Sequence, residues 1–182
     1  WMLNDIKWDA CQRANLVRAL NDYHVGHCDH EVNGYRNEWT IWWQIDENNI
    51  LHNGHMMRYG NDGHRDKTTE YNQTWLHAIM RKAQGEMRFD DEKTRASYCL
   101  FGQHLLNAYP RATVKIVESE KTAILMAAAY GNNENQVWMA CSGMQNLKRE
   151  RLLPLIEAKR EIMLFPDRDG IARWKRKAAE IG

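Results

Sequence analysis

Residues 114–123 read VKIVESEKTA, a short β-branched run that gives way at once to a helical pattern, and this change decides the fold. The same order recurs twice downstream. Further strands are predicted over residues 137–140 and 161–165, and the helices that follow the three strands over residues 121–130, 149–157 and 171–180. Strands that alternate with helices are typical of a parallel sheet with right-handed crossovers. We therefore predict an α/β fold with a Rossmann-like parallel sheet and helices on both faces.

The sequence before residue 98 has a different character, rich in Trp, Tyr, His and Asn. Two β-rich runs over residues 38–46 and 50–59 are separated by Glu47, Asn48 and Asn49, which predicts an antiparallel strand pair. In this part of the chain, helices are predicted over residues 10–23 and 74–84, and loops over residues 24–37 and 60–67. The helix predicted over residues 98–108 opens the part that follows. We therefore predict a smaller α+β region over residues 1–97 and the parallel-sheet domain over residues 98–182.

Composition narrows the classes of protein that the chain can represent. With 25 basic and 24 acidic residues, the formal net charge is +1, so any surface that binds nucleic acid must be local. The four cysteines are far apart and form no CxxC pair, which is typical of a reduced cytoplasmic protein. No apolar run reaches the roughly 20 residues that cross a bilayer, so we expect no membrane partner. Because the chain opens on Trp1, residues are expected to precede it.

Acidic side chains follow two of the predicted parallel strands. Glu118 closes the run VKIV, and Asp167 and Asp169 follow the run IMLF. Residues i and i+2 of an extended segment point to the same side, and Glu118 joins the two aspartates if its strand is a neighbour of theirs. Clustered carboxylates repel one another, and a divalent cation with oxygen ligands relieves this repulsion. The pattern predicts a site for Mg²⁺, or for Mn²⁺; the alternative is that these acids are helix caps or solvated loop charges.

The segments ESEKTA, from Glu118, and DRDG, from Asp167, resemble the toprim signature. In toprim domains of primases, topoisomerases and some nucleases, an acidic residue closes the first strand and a D-x-D motif closes a later one. The resemblance implies a general acid/base role for Glu118 and Mg²⁺ binding by Asp167 and Asp169, with Glu118 as a further metal ligand. Ser119 stands where the family commonly has glycine. The chain ends where toprim domains commonly add a strand, so the domain is expected to be abbreviated or cut.

Two further segments resemble primase-like proteins of bacterial phages and mobile elements. VWMACSGMQNL, residues 137–147, is similar to the middle strand and glycine-containing loop of their toprim domains. EWTIWWQIDENNILHNGHMMRY, residues 38–59, resembles the strand pair that precedes toprim in primase cores. The resemblance implies that DNA or RNA is the partner, with nucleotides and replication proteins as further candidates.

Basic residues near the acidic motifs are candidates for contacts with a nucleic-acid backbone. These are Lys121, Arg168, Arg173 and Lys175. Alternatives remain for two of them: Lys121 can pair with Glu120 or Glu118, and Arg168 can anchor the end of its strand. Arg176 and Lys177 are interpreted as an ordinary solvated helix face.

Aromatic and histidine-rich segments lie in the N-terminal half. Strand alternation places Ile41 and Trp43 on one face and Trp42 on the other, and core packing is favoured over base stacking for the cluster of Trp39, Trp42 and Trp43. Six residues resemble zinc ligands by type but match no standard spacing, so no zinc site is predicted. They are His24, His27, Cys28, His30, His52 and His55. No Ser-His-Asp or Cys-His arrangement and no P-loop motif is found, so ATP-driven helicase activity and an organic cofactor are not predicted.

Two functions are compatible with these patterns. The first is Mg²⁺-dependent processing of nucleic acid, either nucleotidyl transfer as in primases or phosphodiester cleavage as in toprim nucleases. The second is a non-catalytic module that binds nucleic acid or a replication partner and has a degenerate toprim fold. A topoisomerase is disfavoured because the separate large domain that carries its catalytic tyrosine has no room in this chain.

Overall fold

The structure is a computed structural model that describes residues 2, 4–29, 38–68, 71–84 and 99–182. It contains a four-stranded antiparallel sheet and a separate three-stranded parallel sheet flanked by helices. The mixed α/β class predicted from the sequence is confirmed at this level. Among the described residues, no helix is both long enough and apolar enough to cross a membrane.

The antiparallel sheet has the strand order β1-β2-β3-β4. Its strands are β1 (Gly26–Cys28), β2 (Trp39–Ile45), β3 (Leu51–Arg58) and β4 (Gln73–Trp75). The predicted pair is β2 and β3, in which Trp42 lies opposite His55. Two short edge strands flank this pair, and both correct the sequence-based expectation. The loop predicted over residues 24–37 contains β1, and the helix predicted from residue 74 begins at Leu76 because residues 73–75 pair with β3.

The tryptophans of β2 divide between two faces, as the alternation predicts. Trp39 and Ile41 form a small cluster with Met56, and Trp43 packs against it. Trp42 lies on the other face, fully buried in the main core. All three tryptophans therefore contribute to packing, which favours the core interpretation over exposed stacking platforms.

The parallel sheet has the strand order β6-β5-β7, with every pair parallel. Its strands are β5 (Thr113–Val117), β6 (Gln136–Ala140) and β7 (Ile162–Phe165). The described helices are α1 (Ala10–Asp22), α2 (Leu76–Gln84), α3 (Glu120–Tyr130), α4 (Arg149–Glu157) and α5 (Ile171–Ile181). Helix α3 connects β5 to β6, and α4 connects β6 to β7 across the central strand. The predicted strands of the parallel sheet and the helices predicted over residues 121–130, 149–157 and 171–180 are confirmed to within one residue at each end.

The helix predicted over residues 98–108 is wrong in type. Residue 98 lies outside the described residues, and the following segment forms only a short 3₁₀ helix, Gln103–Leu106. Gly102 adopts a left-handed conformation, with φ of 85°, and a Cβ there would lie 2.6 Å from the ring of Tyr23. The chain can pass this point only with glycine, and the left-handed residue interrupts an α-helix. Phe101 instead makes a bridge with Ala140, at the outer edge of β6.

The main core draws on both sides of residue 98. Leu16 and Tyr23 of α1 and Trp42 of β2 are buried together with residues of the parallel sheet, such as Val114 and Trp138. The division into residues 1–97 and 98–182 therefore stays a prediction about sequence organisation, and the hydrophobic core does not follow it.

Candidate functional site

The carboxyl ends of β5 and β7 lie side by side at a switch point of the parallel sheet. From β5 the chain passes through α3 to β6 on one side, and then crosses through α4 to β7 on the other side. In open α/β sheets, ligands bind in the crevice where connections diverge in this way. Glu118 directly follows β5, and Asp167 comes two residues after β7. Glu118 can join the two aspartates only if these strands are neighbours, and β5 and β7 pair directly.

The side chain of Glu118 is packed against the loop that carries the two aspartates. Glu118 is only 6% exposed. Its Oε1 accepts a hydrogen bond from the backbone N–H of Asp167 at 3.1 Å. A Cβ built on Gly170 would lie 2.1 Å from the same oxygen, so no larger residue fits there unless the carboxylate moves. The structure thus brings Glu118 into direct contact with the Asp167–Gly170 loop.

Burial raises the pKa of Glu118 above its ordinary value, and the negative charges of Asp167 and Asp169 raise it further. The hydrogen bond from the Asp167 backbone opposes this rise because it stabilises the ionised form. Both aspartates are therefore near enough to Glu118 to influence its ionisation. A cation between them would relieve the repulsion, and so would a proton on Glu118.

Asp167 and Asp169 themselves are exposed to solvent. Among the described residues, no three or more His, Cys, Asp or Glu side chains are grouped so that they could hold a metal ion together. The predicted convergence of Glu118, Asp167 and Asp169 on one ion is thus not formed in this arrangement. Carboxylate oxygens nevertheless suit Mg²⁺, which is commonly held by one or two carboxylates together with waters and substrate phosphates. Metal binding at these residues stays a prediction.

The loop that follows β6 fixes the backbone of Glu118 from the other side. The N–H of Gly143 donates to the carbonyl oxygen of Glu118 at 2.7 Å, and the N–H of Cys141 donates to Val117 at 3.1 Å. Ser142 and Gly143 both have positive φ, at 61° and 120°. Such a conformation is rare for a serine and persists only where the surroundings hold it. All three strand ends therefore meet around Glu118.

A buried group of polar side chains, which we call the polar junction, connects this region to the antiparallel sheet. It consists of Gln44, His55, Glu120 and Ser142. His55 Nδ1 donates to Glu120 Oε1 at 2.8 Å, and their side chains are only 9% and 3% exposed. Gln44 Nε2 donates to Ser142 Oγ at 3.4 Å. Burial alone would raise the pKa of Glu120, but the charge of His55 and hydrogen bonds from His55 and Ser142 outweigh it and lower the pKa.

Sequence reasoning missed the polar junction. It treated His55 as a distant zinc-ligand candidate and Glu120 as a partner for Lys121. The two residues are 65 positions apart, so no local spacing relates them. The available signal was weak: a histidine within a β-rich run and a glutamate in the first turn of a predicted helix. Neither identifies a partner.

Lys121 points toward the antiparallel sheet. Its Nζ donates to the carbonyl oxygen of Gly63 at 2.7 Å and lies 5.3 Å from the centre of the Tyr59 ring. Burial lowers its pKa, and the charge of Asp62 partly opposes this effect. Lys121 also lines a cavity of about 400 Å³ together with Tyr59 and Thr40.

The other predicted basic residues lie on the loop after β7 and on α5. Arg168 and Lys175 are exposed, and Arg173 is half-buried. Helix α5 is anchored by Trp174, which is 1% exposed and whose Nε1 donates to the carbonyl oxygen of Met144 at 3.1 Å. Lys177, interpreted from the sequence as part of a solvated helix face, donates to the carbonyl oxygens of Gln145 and Leu147. Helix α5 thus holds Arg173 and Lys175 next to the Asp167–Gly170 loop.

Three of the residues considered for zinc, namely His24, His52 and His55, contact other side chains. The ring of His24 stacks on that of His104 with centroids 5.2 Å apart, and His52 pairs with Asp46 at 2.8 Å. His27 and Cys28 lie in β1, and His30 lies outside the described residues.

Comparison with known families gives a match over most of the chain. Residues 4–168, most of the chain, match a family model described as "Domain of unknown function (DUF6371)". The matched region includes Glu118, the polar junction and Asp167, and it ends one residue before Asp169. No protein with a curated description and no solved structure matches the chain.

Proposed function

We propose that this chain, which belongs to the DUF6371 family, is a divalent-cation-dependent protein that processes nucleic acid at Glu118, Asp167 and Asp169. The observation that carries the proposal is the placement of Glu118 and Asp167 at the switch point between β5 and β7, in contact at 3.1 Å. This is where α/β sheets bind their ligands. The resemblance of ESEKTA and DRDG to toprim motifs supports the same site.

The three acidic residues have different proposed roles. Asp167 and Asp169 would hold Mg²⁺ or Mn²⁺, an ion that, when bound, grips phosphate oxygens and neutralises charge during displacement at phosphorus. Glu118 is buried, and its raised pKa suits a group that accepts and returns a proton. Nucleotidyl transfer and phosphodiester hydrolysis place the same demands on these three acids.

The basic residues beside the acids would hold the phosphate backbone. Arg168 lies between the two aspartates, and Arg173 and Lys175 are carried on α5. Cations at such positions neutralise phosphates without reading sequence. A DNA or RNA strand is therefore the proposed substrate class.

A non-catalytic module that binds nucleic acid or a replication partner is the second candidate. The exposure of both aspartates favours it, because carboxylates of working metal sites are usually oriented by hydrogen bonds from neighbouring groups. In this case Arg168, Arg173 and Lys175 would contact the partner, and the acids would have no chemical role.

Titration calorimetry of Mg²⁺ and Mn²⁺ at modest salt tests the proposal. The wild-type chain is compared with an Asp167→Ala, Asp169→Ala double variant and with a control in which the exposed acids Glu134 and Glu157 are replaced by alanine. We expect the wild type and the control to bind the ions and the Asp167, Asp169 variant to lose binding. Nuclease and primer-synthesis assays then separate cleavage from nucleotidyl transfer. Equal binding in all three proteins, or no binding in any, would overturn the metal site and leave the binding module as the better explanation.

A further inference from the structure

The polar junction lies between the two sheets, where packed elements ordinarily make hydrophobic contacts. Gln44 lies near the end of β2 and His55 in the middle of β3, and Glu120 and Ser142 come from the segments that follow β5 and β6. All four residues are buried. The antiparallel sheet therefore meets the carboxyl ends of the parallel strands through charged and hydrogen-bonding groups.

The two members from the parallel half flank the backbone of Glu118. Glu120 is two residues beyond Glu118, in the first turn of α3. Ser142 directly precedes Gly143, whose N–H donates to the Glu118 carbonyl oxygen at 2.7 Å. A shift of either segment would move Glu118, and with it the 3.1 Å contact between its carboxylate and the Asp167 N–H.

His55 is itself held in place on the antiparallel side. Its ring stacks on Trp75 of β4, with centroids 4.6 Å apart and an angle of 21° between the planes. The ring nitrogen that faces Glu120 is thus fixed in direction by a neighbouring strand. The short edge strand β4, which was not predicted from the sequence, therefore helps to orient the His55 ring.

A net gain in stability does not explain such a pair. Removing a carboxylate and its histidine partner from water is costly, and well-packed apolar residues of similar volume often stabilise a protein as much or more. A buried hydrogen-bonded pair does, however, specify one arrangement, because any displacement leaves a buried polar group without its partner. The location of the pair beside Glu118 indicates which arrangement it specifies.

We propose that His55 and Glu120 are positioning residues, through which the antiparallel sheet holds the Glu118 segment in register with the loop that carries Asp167. The inference rests on the proposed function of the acidic site. It assigns the N-terminal half a defined role, as the support that orients the acids for metal and substrate.

The test compares His55→Gln with His52→Gln. His52 provides a matched control because it also pairs with a carboxylate at 2.8 Å in the same sheet, with Asp46, at a more exposed position of 20% and 14%. Two properties are measured: the amide ¹H–¹⁵N shifts of Gly143 and Asp167 without metal, and the affinity for Mn²⁺ by calorimetry. We expect His55→Gln to shift both amide signals and to weaken Mn²⁺ binding about tenfold, as loss of an outer-shell partner commonly does. His52→Gln should change neither.

A second pair of variants covers the case in which His55→Gln does not fold. Glu120→Gln preserves the side-chain shape and one hydrogen-bond acceptor, whereas Glu120→Ala removes both. Positioning predicts that the Gly143 and Asp167 amides shift less in Glu120→Gln than in Glu120→Ala. Unchanged amide signals in the folded variants, or equal shifts in the His52 control, would overturn the inference. Absence of Mn²⁺ binding to the wild type would refute the metal site alone, because the amide shifts still decide whether the pair positions Glu118.

Discussion

At the scale of single residues, the contact between Glu118 and Gly170 explains why the acidic motif ends in glycine. The space that a side chain would take at residue 170 is occupied by the Glu118 carboxylate. Glycine leaves room here for the Glu118 carboxylate and is not needed for a left-handed conformation, because the φ of Gly170 is −85°. The glycine of DRDG is thus explained by its contact with Glu118, which lies 52 positions earlier in the chain.

This contact predicts the effect of Gly170→Ala. A Cβ would lie 2.1 Å from Glu118 Oε1, so the buried carboxylate must move or the loop must shift. We expect a loss of about 1–3 kcal/mol in the free energy of unfolding, the usual cost of inserting a methyl group into packed surroundings. Urea denaturation measures it.

The same substitution in a Glu118→Ala background provides the control. With the carboxylate removed, Gly170→Ala should cost much less, and the difference between the two backgrounds gives the interaction energy of the pair. An equal cost in both backgrounds would show that the loop backbone, and not Glu118, excludes the side chain.

At the scale of secondary structure, the turn between β2 and β3 is organised by one carboxylate. Asp46 Oδ1 accepts hydrogen bonds from the N–H groups of Asn48 at 2.8 Å and Ile50 at 2.9 Å. Its Oδ2 pairs with His52. Asn49 takes the left-handed conformation that the turn needs, with φ of 60°, and asparagine tolerates it better than most residues. Residues 47–49 therefore form a turn because the Asp46 carboxylate accepts the backbone hydrogen bonds that hold it.

The turn predicts a pH-dependent effect of Asp46→Asn. Burial alone would raise the pKa of Asp46, but the hydrogen bonds from Ile50, His52 and Asn48 outweigh it and lower the pKa. A lowered folded-state pKa means stability that is present above the unfolded value of about 4 and is lost as pH falls through the folded value. We expect Asp46→Asn to cost about 1 kcal/mol at pH 7 and almost nothing near pH 2.

Urea denaturation at the two pH values measures this difference. Glu134→Gln, at an exposed position, is the control and should change stability little at either pH. If Asp46→Asn were equally destabilising at pH 7 and pH 2, the contribution of Asp46 would come from side-chain shape and not from its charge.

At the scale of the whole molecule, the two sheets share one core. Leu16, Tyr23 and Trp42 are fully buried against residues of the parallel half. Asn132 Nδ2 also donates to the hydroxyl of Tyr23 at 3.0 Å. Removing the N-terminal half would expose the apolar surface that these side chains cover.

We therefore predict that residues 99–182 alone do not form a stable domain. The full chain should show one cooperative thermal transition by circular dichroism, and the fragment should show none, because the apolar area buried per residue falls while the conformational entropy lost per residue does not. A sharp transition of the fragment by itself would show that the boundary near residue 98 separates two independently folding domains.

The predictions that succeeded depend on short-range patterns. In VKIVESEKTA and IMLFPDRDG the β-branched and apolar runs, followed by helical spacing, located β5, β7 and their helices. Glu118, Asp167 and Asp169 could be placed at strand ends because a strand end is visible in the sequence. The helix over residues 98–108 failed because Gly102 meets the ring of Tyr23, a contact across about 80 positions that no window of sequence contains.

The sequence by itself determined the identity of most strands and helices, the alternation of the β2 tryptophans and the placement of acids after β5 and β7. Only the tertiary structure decided the order β6-β5-β7, the contact of Glu118 with the Asp167–Gly170 loop and the pairing of His55 with Glu120. The physical reason is that backbone periodicity is set by neighbours within a few residues, whereas the partner of a strand edge or a buried charge is selected by the packing of the entire chain.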